Sequence, residues 1–167
     1  MTDNAELKRY TEFPLPSRKY IPGQGIHPDR HPQGSHIPEI PPEDKEFTMD
    51  NWQYCQRYLY AIDLFNAGYW WEAHEVLEEL WVESGRTTEI ARFLQGVIQV
   101  SAALLKVTIS NPRGAIRLAE RGIRKLRSQT GVYLGINIHD LVRSVGNKVQ
   151  DEDFPLPEIV LTGLEKG

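Results

Sequence analysis

Proline is distributed very unevenly along this chain of 167 residues. Eight of its eleven prolines precede residue 43, together with three of its five histidines. Proline lacks the backbone N–H that a helix interior requires, and it disfavours helical geometry in the residue before it. Residues 1–46 therefore cannot form a regular helix, and we predict that they form an extended arm rich in proline, glycine and histidine.

The pattern changes after the arm, where apolar residues begin to recur at helical spacing. Ser84 followed by Gly85 is typical of a helix end, and Asn111 followed by Pro112 is typical of a helix start. Between these two signals lies a helix that is apolar around most of its circumference, as expected of a helix in the middle of a bundle. Asn137 likewise predicts the cap of a final short helix.

These signals predict an all-α fold, a compact bundle of about five helices over residues 47–150, followed by an extended C-terminal tail over residues 151–167. The chain has a net charge of -4, so it does not have the excess of basic residues that binding to nucleic acid phosphates requires. No run approaches about 18 apolar residues, and the N-terminus lacks the features of a secretory signal. We therefore expect a soluble, cytoplasmic protein that binds neither nucleic acid nor membrane.

The second helix, predicted over about residues 70–83, concentrates the chemistry of the chain. On a helical wheel, His74 and Glu78 fall among the indole side chains of Trp70, Trp71 and Trp81. A charged group on such an apolar face is costly unless it is paired, hydrogen-bonded or bound to a cation. We therefore expect the His74 and Glu78 side chains to point into the protein interior.

His74 and Glu78 are one helical turn apart, so an imidazole and a carboxylate can share a proton or bind one metal ion. Two interpretations stay open. One is a buried polar pair that fixes the helix register, and the other is a site for a divalent metal ion or an acid/base pair. The second histidine of the HExxH zinc motif is missing, so further ligands would come from elsewhere. Glu75 lies on the flank of the apolar face and is a candidate general base.

Candidate outside ligands lie in the arm, where three histidines fall within ten residues of one another. Neutral imidazole is a common ligand of zinc and other transition metals, and an extended arm can reach across a bundle. We name His31 as a third metal ligand beside His74 and Glu78, and we expect one divalent metal ion as the cofactor. The alternative is that His27, His31 and His36 are ordinary polar residues of a loop.

Two polar strips on the later helices contain candidate ligand-binding residues. Gln95, Gln99 and Lys106 share one face of the third helix, and this strip either faces water or lines a pocket against the second helix. Arg117 belongs to a row of arginines on the fourth helix. This row has three possible interpretations: a face exposed to solvent, a strip that binds anions, or a set of ion-pair partners for an acidic outer face on the second helix. The row consists of Arg113, Arg117, Arg121 and Arg124, and the acidic face consists of Glu72, Glu79 and Glu83.

Three stretches of the chain resemble one protein family. They read LFNAGYWWEAHEVLEELW, RFLQGVIQVSAALLK and NPRGAIRL. Over about residues 52–126 the chain is similar to the bacterial and archaeal domain-of-unknown-function family 309, whose motif is matched by Phe65, Gly68, Ala73, His74, Glu75, Glu78 and Trp81. The resemblance implies a compact all-helical bundle and the label of metal-dependent hydrolase that some classifications attach to the family. It also implies metal contact for His74 and for one or both of Glu75 and Glu78.

Two function hypotheses follow. The first is a helical domain that binds a metal ion or a small molecule and acts as a hydrolase. His74 and Glu78 would hold the cation, Glu75 would act on a water molecule, and Gln95 and Gln99 would position the ligand. The second is a non-catalytic scaffold or a homodimer. In that case the aromatic helix faces would bury against a partner, and the His74 and Glu78 pair would be structural.

Overall fold

The computed structural model describes residues 6–28, 30, 34 and 36–164. A 3-10 turn over Trp52–Tyr54 precedes five helices and one short antiparallel hairpin. The helices are α1 (Gln56–Asn66), α2 (Trp70–Glu83), α3 (Glu89–Thr108), α4 (Pro112–Leu126) and α5 (Ile138–Gln150), and the hairpin strands are β1 (Val132–Tyr133) and β2 (Ile136–Asn137). The prediction of an all-α fold with about five helices is confirmed.

The central helix is α3, which contacts α2, α4 and α5. Its 20 residues, with a mean hydropathy of 1.4 over the most apolar window, are long and apolar enough to cross a membrane by length and composition alone. A helix at the centre of a soluble bundle meets the same criterion, and 56% of that window is buried inside this fold. The cytoplasmic location stays a prediction.

Two glycines allow α3 and α4 to cross closely. A Cβ atom added at Gly122 would lie 2.8 Å from Cγ1 of Val100 and 2.9 Å from the carbonyl oxygen of Gly96. A Cβ atom at Gly96 would meet Leu126 at 3.0 Å. A side chain at Gly122 would overlap the α3 backbone, and one at Gly96 would require Leu126 to shift, so the two glycines permit the short distance between the helix backbones.

The N-termini of α4 and α5 are capped by the predicted asparagines. The side chain of Asn111 accepts a hydrogen bond from the N–H of Gly114 at 2.9 Å, and Pro112 occupies the first turn. The side chain of Asn137 accepts one from the N–H of Asp140 at 3.1 Å. Each contact satisfies a backbone donor that the helix itself cannot pair.

The start of the bundle differs from the expected continuous helix. The helical spacing of Trp52, Cys55, Leu59 and Ile62 predicts that the four residues share one helix. Trp52 and Cys55 instead precede α1, because Cys55 is extended (ψ 100°) between the 3-10 turn and α1. The break lets the indole of Trp52 pack on the hairpin, where a Cβ at Gly135 would overlap it. Cys55 itself is buried, and burial raises the pKa of its thiol to about 12, so it packs as an apolar group.

The described part of residues 6–46 contains no helix and lies across α1 and α2. Its main chain is held by buried carboxylates and by tyrosine hydroxyls. The N–H of Tyr10 donates to Asp63 at 2.7 Å, and the hydroxyl of Tyr60 donates to the carbonyl of Pro14 at 2.8 Å. Buried polar groups require hydrogen-bond partners, and side chains of α1 are the partners of the arm's main-chain groups.

The C-terminal tail is bound to α1 in a similar way. The side-chain amide of Asn66 donates to the carbonyl of Ile159 at 2.8 Å and accepts from its N–H at 2.7 Å. The side chains of Ile159 and Leu161 are buried in the core. The tail is therefore part of the packed structure through these residues.

Candidate functional site

The α2 helix buries one side against α1 and α3, and this side determines where its polar residues lie. Ala73, Leu77 and Leu80 are fully buried. They recur at the spacing of one helix face. His74 follows Ala73 by 100° around the helix and so lies at the edge of the buried face.

The His74 imidazole lies between two carboxylates of its own helix. Its Nδ1 is 3.3 Å from Oε1 of Glu75, and its Nε2 is 3.2 Å from Oε1 of Glu78. One ligand atom from each of the three residues lies within 4.8 Å of the other two. We call these three residues the His74 cluster. It offers the nitrogen and oxygen ligands that divalent metal ions bind.

The electrostatics of the cluster favour a cation. Burial alone would lower the pKa of His74, but hydrogen bonding and the negative charges of Glu75 and Glu78 outweigh burial and raise this pKa. The field that stabilises a proton on the imidazole would also attract a metal ion. A metal ion would then compete with that proton for the ring nitrogen.

The expectation that His74 and Glu78 point into the interior is wrong for the carboxylate. The exposed fraction of the side chain is 28% for His74, 37% for Glu75 and 47% for Glu78. The helical wheel counted Trp71 and Trp81 as core residues, whereas both are only partly buried. The buried face is therefore centred nearer to Ala73 and Leu77, and the cluster opens to solvent.

The proposed acidic outer face of α2 does not exist as one surface. The carboxylate of Glu72 is fully buried under the arm, where it accepts a hydrogen bond from the N–H of Tyr20 at 2.6 Å. Its second oxygen is also buried and has no partner among the described residues. Desolvation by burial accordingly raises the pKa of Glu72. This burial cannot be predicted from the local sequence, because the arm segment around Tyr20 that covers Glu72 lies about fifty positions before it in the chain.

The other two acids pair with α1 and not with the arginines of α4. Arg57 forms two hydrogen bonds of 2.7 Å with Glu83, and it approaches Glu79 at 3.9 Å. Arg57 also binds Glu43 of the arm at 2.9 Å. These charges raise the pKa of the guanidinium although burial opposes the shift. Of the three interpretations of the arginine row, the pairing with the acids of α2 is therefore wrong, while the solvated face and the anion-binding strip stay open.

Two of the three arm histidines, His27 and His36, lie within the described residues. His31, the predicted third metal ligand, lies outside the described residues. The ring of His27 packs edge-on against Trp71 at 5.3 Å and also contacts Tyr20 at 5.1 Å. His27 thus helps to cover α2 just before the His74 cluster. His36 is exposed.

The predicted ligand-binding strip of α3 turns towards α4. Oε1 of Gln99 accepts a hydrogen bond from Nζ of Lys125 at 2.8 Å, so at this residue the strip does not line a pocket against α2. Gln95 and Lys106 are partly buried on the same helix face, and Arg117 is exposed on α4. A role for Gln95, Gln99, Lys106 and Arg117 in ligand binding stays a prediction.

A cavity of about 380 Å³ adjoins the cluster at Glu75. Its lining comes from the arm, α1 and α2. The arm contributes Ile37, Pro38, Glu39 and Ile40, α1 contributes Arg57, and α2 contributes Glu75, Val76 and Glu79. The size is suitable for a small organic molecule, and the lining combines apolar side chains with three carboxylates and one guanidinium group.

Sequence reasoning did not identify three charged groups as buried: it did not single out Asp63 or Arg57, and it assigned Glu72 to an exposed acidic face. Each contacts the arm. A signal was available for Asp63 and Arg57, since both interrupt the apolar side chains of α1, the helix with the most completely buried surface. A charge within such a helix predicts a specific buried partner.

Comparison with known proteins places the cluster within a described domain. The family model of a domain of unknown function (DUF309) matches residues 58–118, which are 61 of the 167 residues. No curated protein is significantly similar to the chain. The match contains the whole His74 cluster and assigns no activity to it. From α1 into the first half of α4, this chain is therefore similar to the domain of unknown function DUF309.

Proposed function

We propose that the His74 cluster binds one divalent metal ion at the surface of α2. The observation that carries this proposal is the His74 imidazole with a carboxylate at each ring nitrogen, Glu78 at Nε2 to share a cation and Glu75 at Nδ1 to orient the ring. One nitrogen or oxygen atom of each residue lies within 4.8 Å of the others. The cluster is partly exposed, so an ion can reach it without rearrangement of the fold. The raised pKa of His74 supports the same conclusion, because it reflects local negative potential.

The two ring nitrogens of His74 have different roles in this proposal. A single imidazole presents one nitrogen to a cation, while the other donates its N–H to a neighbouring acceptor that fixes the tautomer. Nε2 and Glu78, one helical turn apart, are the ligand pair. Glu75 accepts from Nδ1 and orients the ring. The remaining coordination positions would be filled by water or by a small-molecule ligand.

The catalytic part of the proposal is a metal-dependent hydrolase. A bound divalent cation would act as a Lewis acid and lower the pKa of a bound water molecule. Glu75 lines the cavity of about 380 Å³ and is the carboxylate able to accept a proton there. A small substrate would bind between the arm residues Ile37 and Ile40 and the acidic side of α2. Rates of p-nitrophenyl ester hydrolysis with Mn²⁺, compared between wild type and Glu75→Gln, test this part.

The metal site itself is tested by calorimetric titration with Zn²⁺ and Mn²⁺ and by the visible spectrum of bound Co²⁺. Wild-type protein purified without chelators should bind one ion per chain. His74→Ala should abolish this binding, and Glu78→Gln should weaken it strongly. Glu75→Gln removes an orienting contact and should weaken binding by about tenfold or more.

A matched control is available on α5. His139 is an exposed histidine whose Nδ1 lies 3.6 Å from Oδ1 of the neighbouring Asp140, and among the described residues no further histidine, cysteine or carboxylate completes a group of three with this pair. His139→Ala should leave metal binding unchanged. The absence of stoichiometric binding by wild type, or an equal loss in His139→Ala, would contradict the proposal.

The competing proposal is a non-catalytic scaffold or homodimer. It is favoured by the fact that both nitrogens of His74 already lie within 3.3 Å of a carboxylate oxygen, so the cluster can be satisfied without a cation. In that case Glu78→Gln should change the melting temperature or the oligomeric mass, measured by light scattering, while metal content stays at zero in both proteins.

A further inference from the structure

The arginines of the chain are concentrated on the exposed side of α4 and extend onto α5. Arg113, Arg117 and Arg121 are followed by Arg124 and by Arg127 just after the helix end, and all five side chains are exposed. Arg143 lies on the exposed side of α5. Since the whole chain has a net charge of -4, this basic surface is balanced by acidic residues elsewhere.

One end of this surface forms a groove between α4 and α5, which we call the α4–α5 groove. Its volume is about 670 Å³, within the usual range for a small-molecule site. Ile123 and Val142 supply apolar lining, and Gly146 leaves space because a Cβ added there would meet nothing within 4 Å. The charged lining includes Arg124, Arg127 and Arg143.

The positive charges of the groove are not neutralised by the protein. Within the part of the chain that the structure describes, no ion pair involves Arg124, Arg127 or Arg143. Glu120 also lines the groove. It is the one acidic residue among the lining residues, which include three guanidinium groups. Beside the groove, burial and the charges of Arg121, Arg92 and Arg124 lower the pKa of Lys125, which is consistent with a positive potential.

We propose that the α4–α5 groove binds a small molecule that carries two or more phosphate groups. Guanidinium groups bind phosphate oxygens through paired hydrogen bonds, and three of them around one groove suit a ligand with several negative charges. The apolar lining provides contact for the remainder of such a molecule. This site is separate from the His74 cluster, since its lining residues come from α4, α5 and the segment between them.

The occupant is a small molecule and not a long polyanion because the lining residues lie at one end of the basic surface. Arg113 is fourteen residues before Arg127 along the chain and does not line the groove. At a rise of 1.5 Å per residue, about 20 Å separate the two positions. A nucleic acid strand would use the whole row, whereas a ligand in the groove would not contact Arg113.

Calorimetric titration with inorganic tripolyphosphate at low salt tests the proposal. Wild type should bind one molecule per chain, and added NaCl should weaken the binding. Arg124→Gln and Arg143→Gln should each weaken it by about tenfold or more, since each removes a charge-assisted contact. Arg113→Gln is the matched control from the same helix and should bind as wild type does.

A second variant distinguishes binding of tripolyphosphate in the groove from general electrostatic attraction to the basic surface. Gly146→Leu adds a side chain at a groove position without changing any charge, and it should block tripolyphosphate binding while circular dichroism shows an intact fold. The proposal is overturned if wild type does not bind saturably or if Gly146→Leu binds normally. It is also overturned if Arg113→Gln weakens binding as much as Arg124→Gln, or if a single-stranded RNA binds with equal contributions from both arginines.

Discussion

Thr11 of the arm donates two hydrogen bonds to the same carboxylate oxygen of Asp63. Its N–H lies 3.0 Å from Oδ2, and its hydroxyl oxygen lies 2.7 Å from the same atom. Tyr10 donates to the other oxygen, and Nε of Arg9 lies 3.2 Å from Oδ2. A single buried carboxylate on α1 therefore holds three consecutive residues of the arm.

Asp63→Asn should destabilise the protein and loosen the arm. The amide keeps one acceptor oxygen, but its NH₂ group would face a backbone N–H, and the ion pair with Arg9 is lost. We expect the free energy of unfolding to fall by about 2–4 kcal/mol, measured by urea denaturation. Limited proteolysis should cut the arm faster than in Asp50→Asn, an exposed control. Equal stability of the two variants would show that the contact is unimportant.

The ionisation of His74 makes stability depend on pH. Its pKa in the folded protein is raised above the usual 6.5 because the hydrogen bonds and charges of Glu75 and Glu78 outweigh burial. Protonation therefore stabilises the fold. This contribution is complete below pH 6.5 and is lost as the pH rises through the folded-state value. NMR titration of the imidazole should show a raised midpoint that Glu78→Gln lowers and Glu120→Gln, on α4, does not change.

Glu72 also has a raised pKa, but here the main cause is the burial of its carboxylate and not neighbouring charge. Burial is the largest cause, and the hydrogen bond from Tyr20 only partly offsets it. The folded state therefore holds the proton more tightly, and stability falls as the pH rises from the usual 4.5 through the folded-state value. At pH 7, Glu72→Gln should be more stable by about 1 kcal/mol, since it removes a buried charge and keeps an acceptor for Tyr20.

The difference between Glu72→Gln and wild type should shrink as the pH is lowered towards 4.5. Thermal denaturation at several pH values measures it, with the exposed Glu152→Gln as the control. A less stable Glu72→Gln at neutral pH would mean that the negative charge is needed to hold the arm.

The surroundings of two glycines predict opposite effects of their substitution on stability. Gly122 lies at the crossing of α3 and α4, whereas Gly146 on α5 has open space around it. Gly122→Ala places a Cβ 2.8 Å from Val100 and should lower the free energy of unfolding by about 1–3 kcal/mol, although alanine is the better helix former. Gly146→Ala on α5 meets no atom within 4 Å and should raise stability by about 0.5–1 kcal/mol. Urea denaturation of both variants measures the contrast, and a stabilised Gly122→Ala would disprove the close crossing.

The helices could be predicted from the sequence because their boundaries depend on local contacts. The Asn111 cap bonds to Gly114, three residues ahead, and Ser84 follows the last residue of α2 as expected. The proximity of His74 and Glu78 is also local, since any helix brings residues four apart to the same side. The exposure of Glu78 was predicted wrongly, because Trp71 and Trp81 were counted as core residues, whereas they lie at the surface and are partly covered by the arm and by Arg86.

The sequence by itself determined the all-α class, most of the helix ends and the proximity of His74 to Glu75 and Glu78, since each depends on residues within a few positions of one another. Tertiary structure decided which charges are buried. Glu72 lies under Tyr20, and Arg57 lies between Glu43 and Glu83. It also decided that Gln99 faces Lys125 and that arginines of α4 and α5 share a groove. The reason is that burial and electrostatic environment depend on which distant segment packs against a helix, and a helical wheel contains no information about that segment.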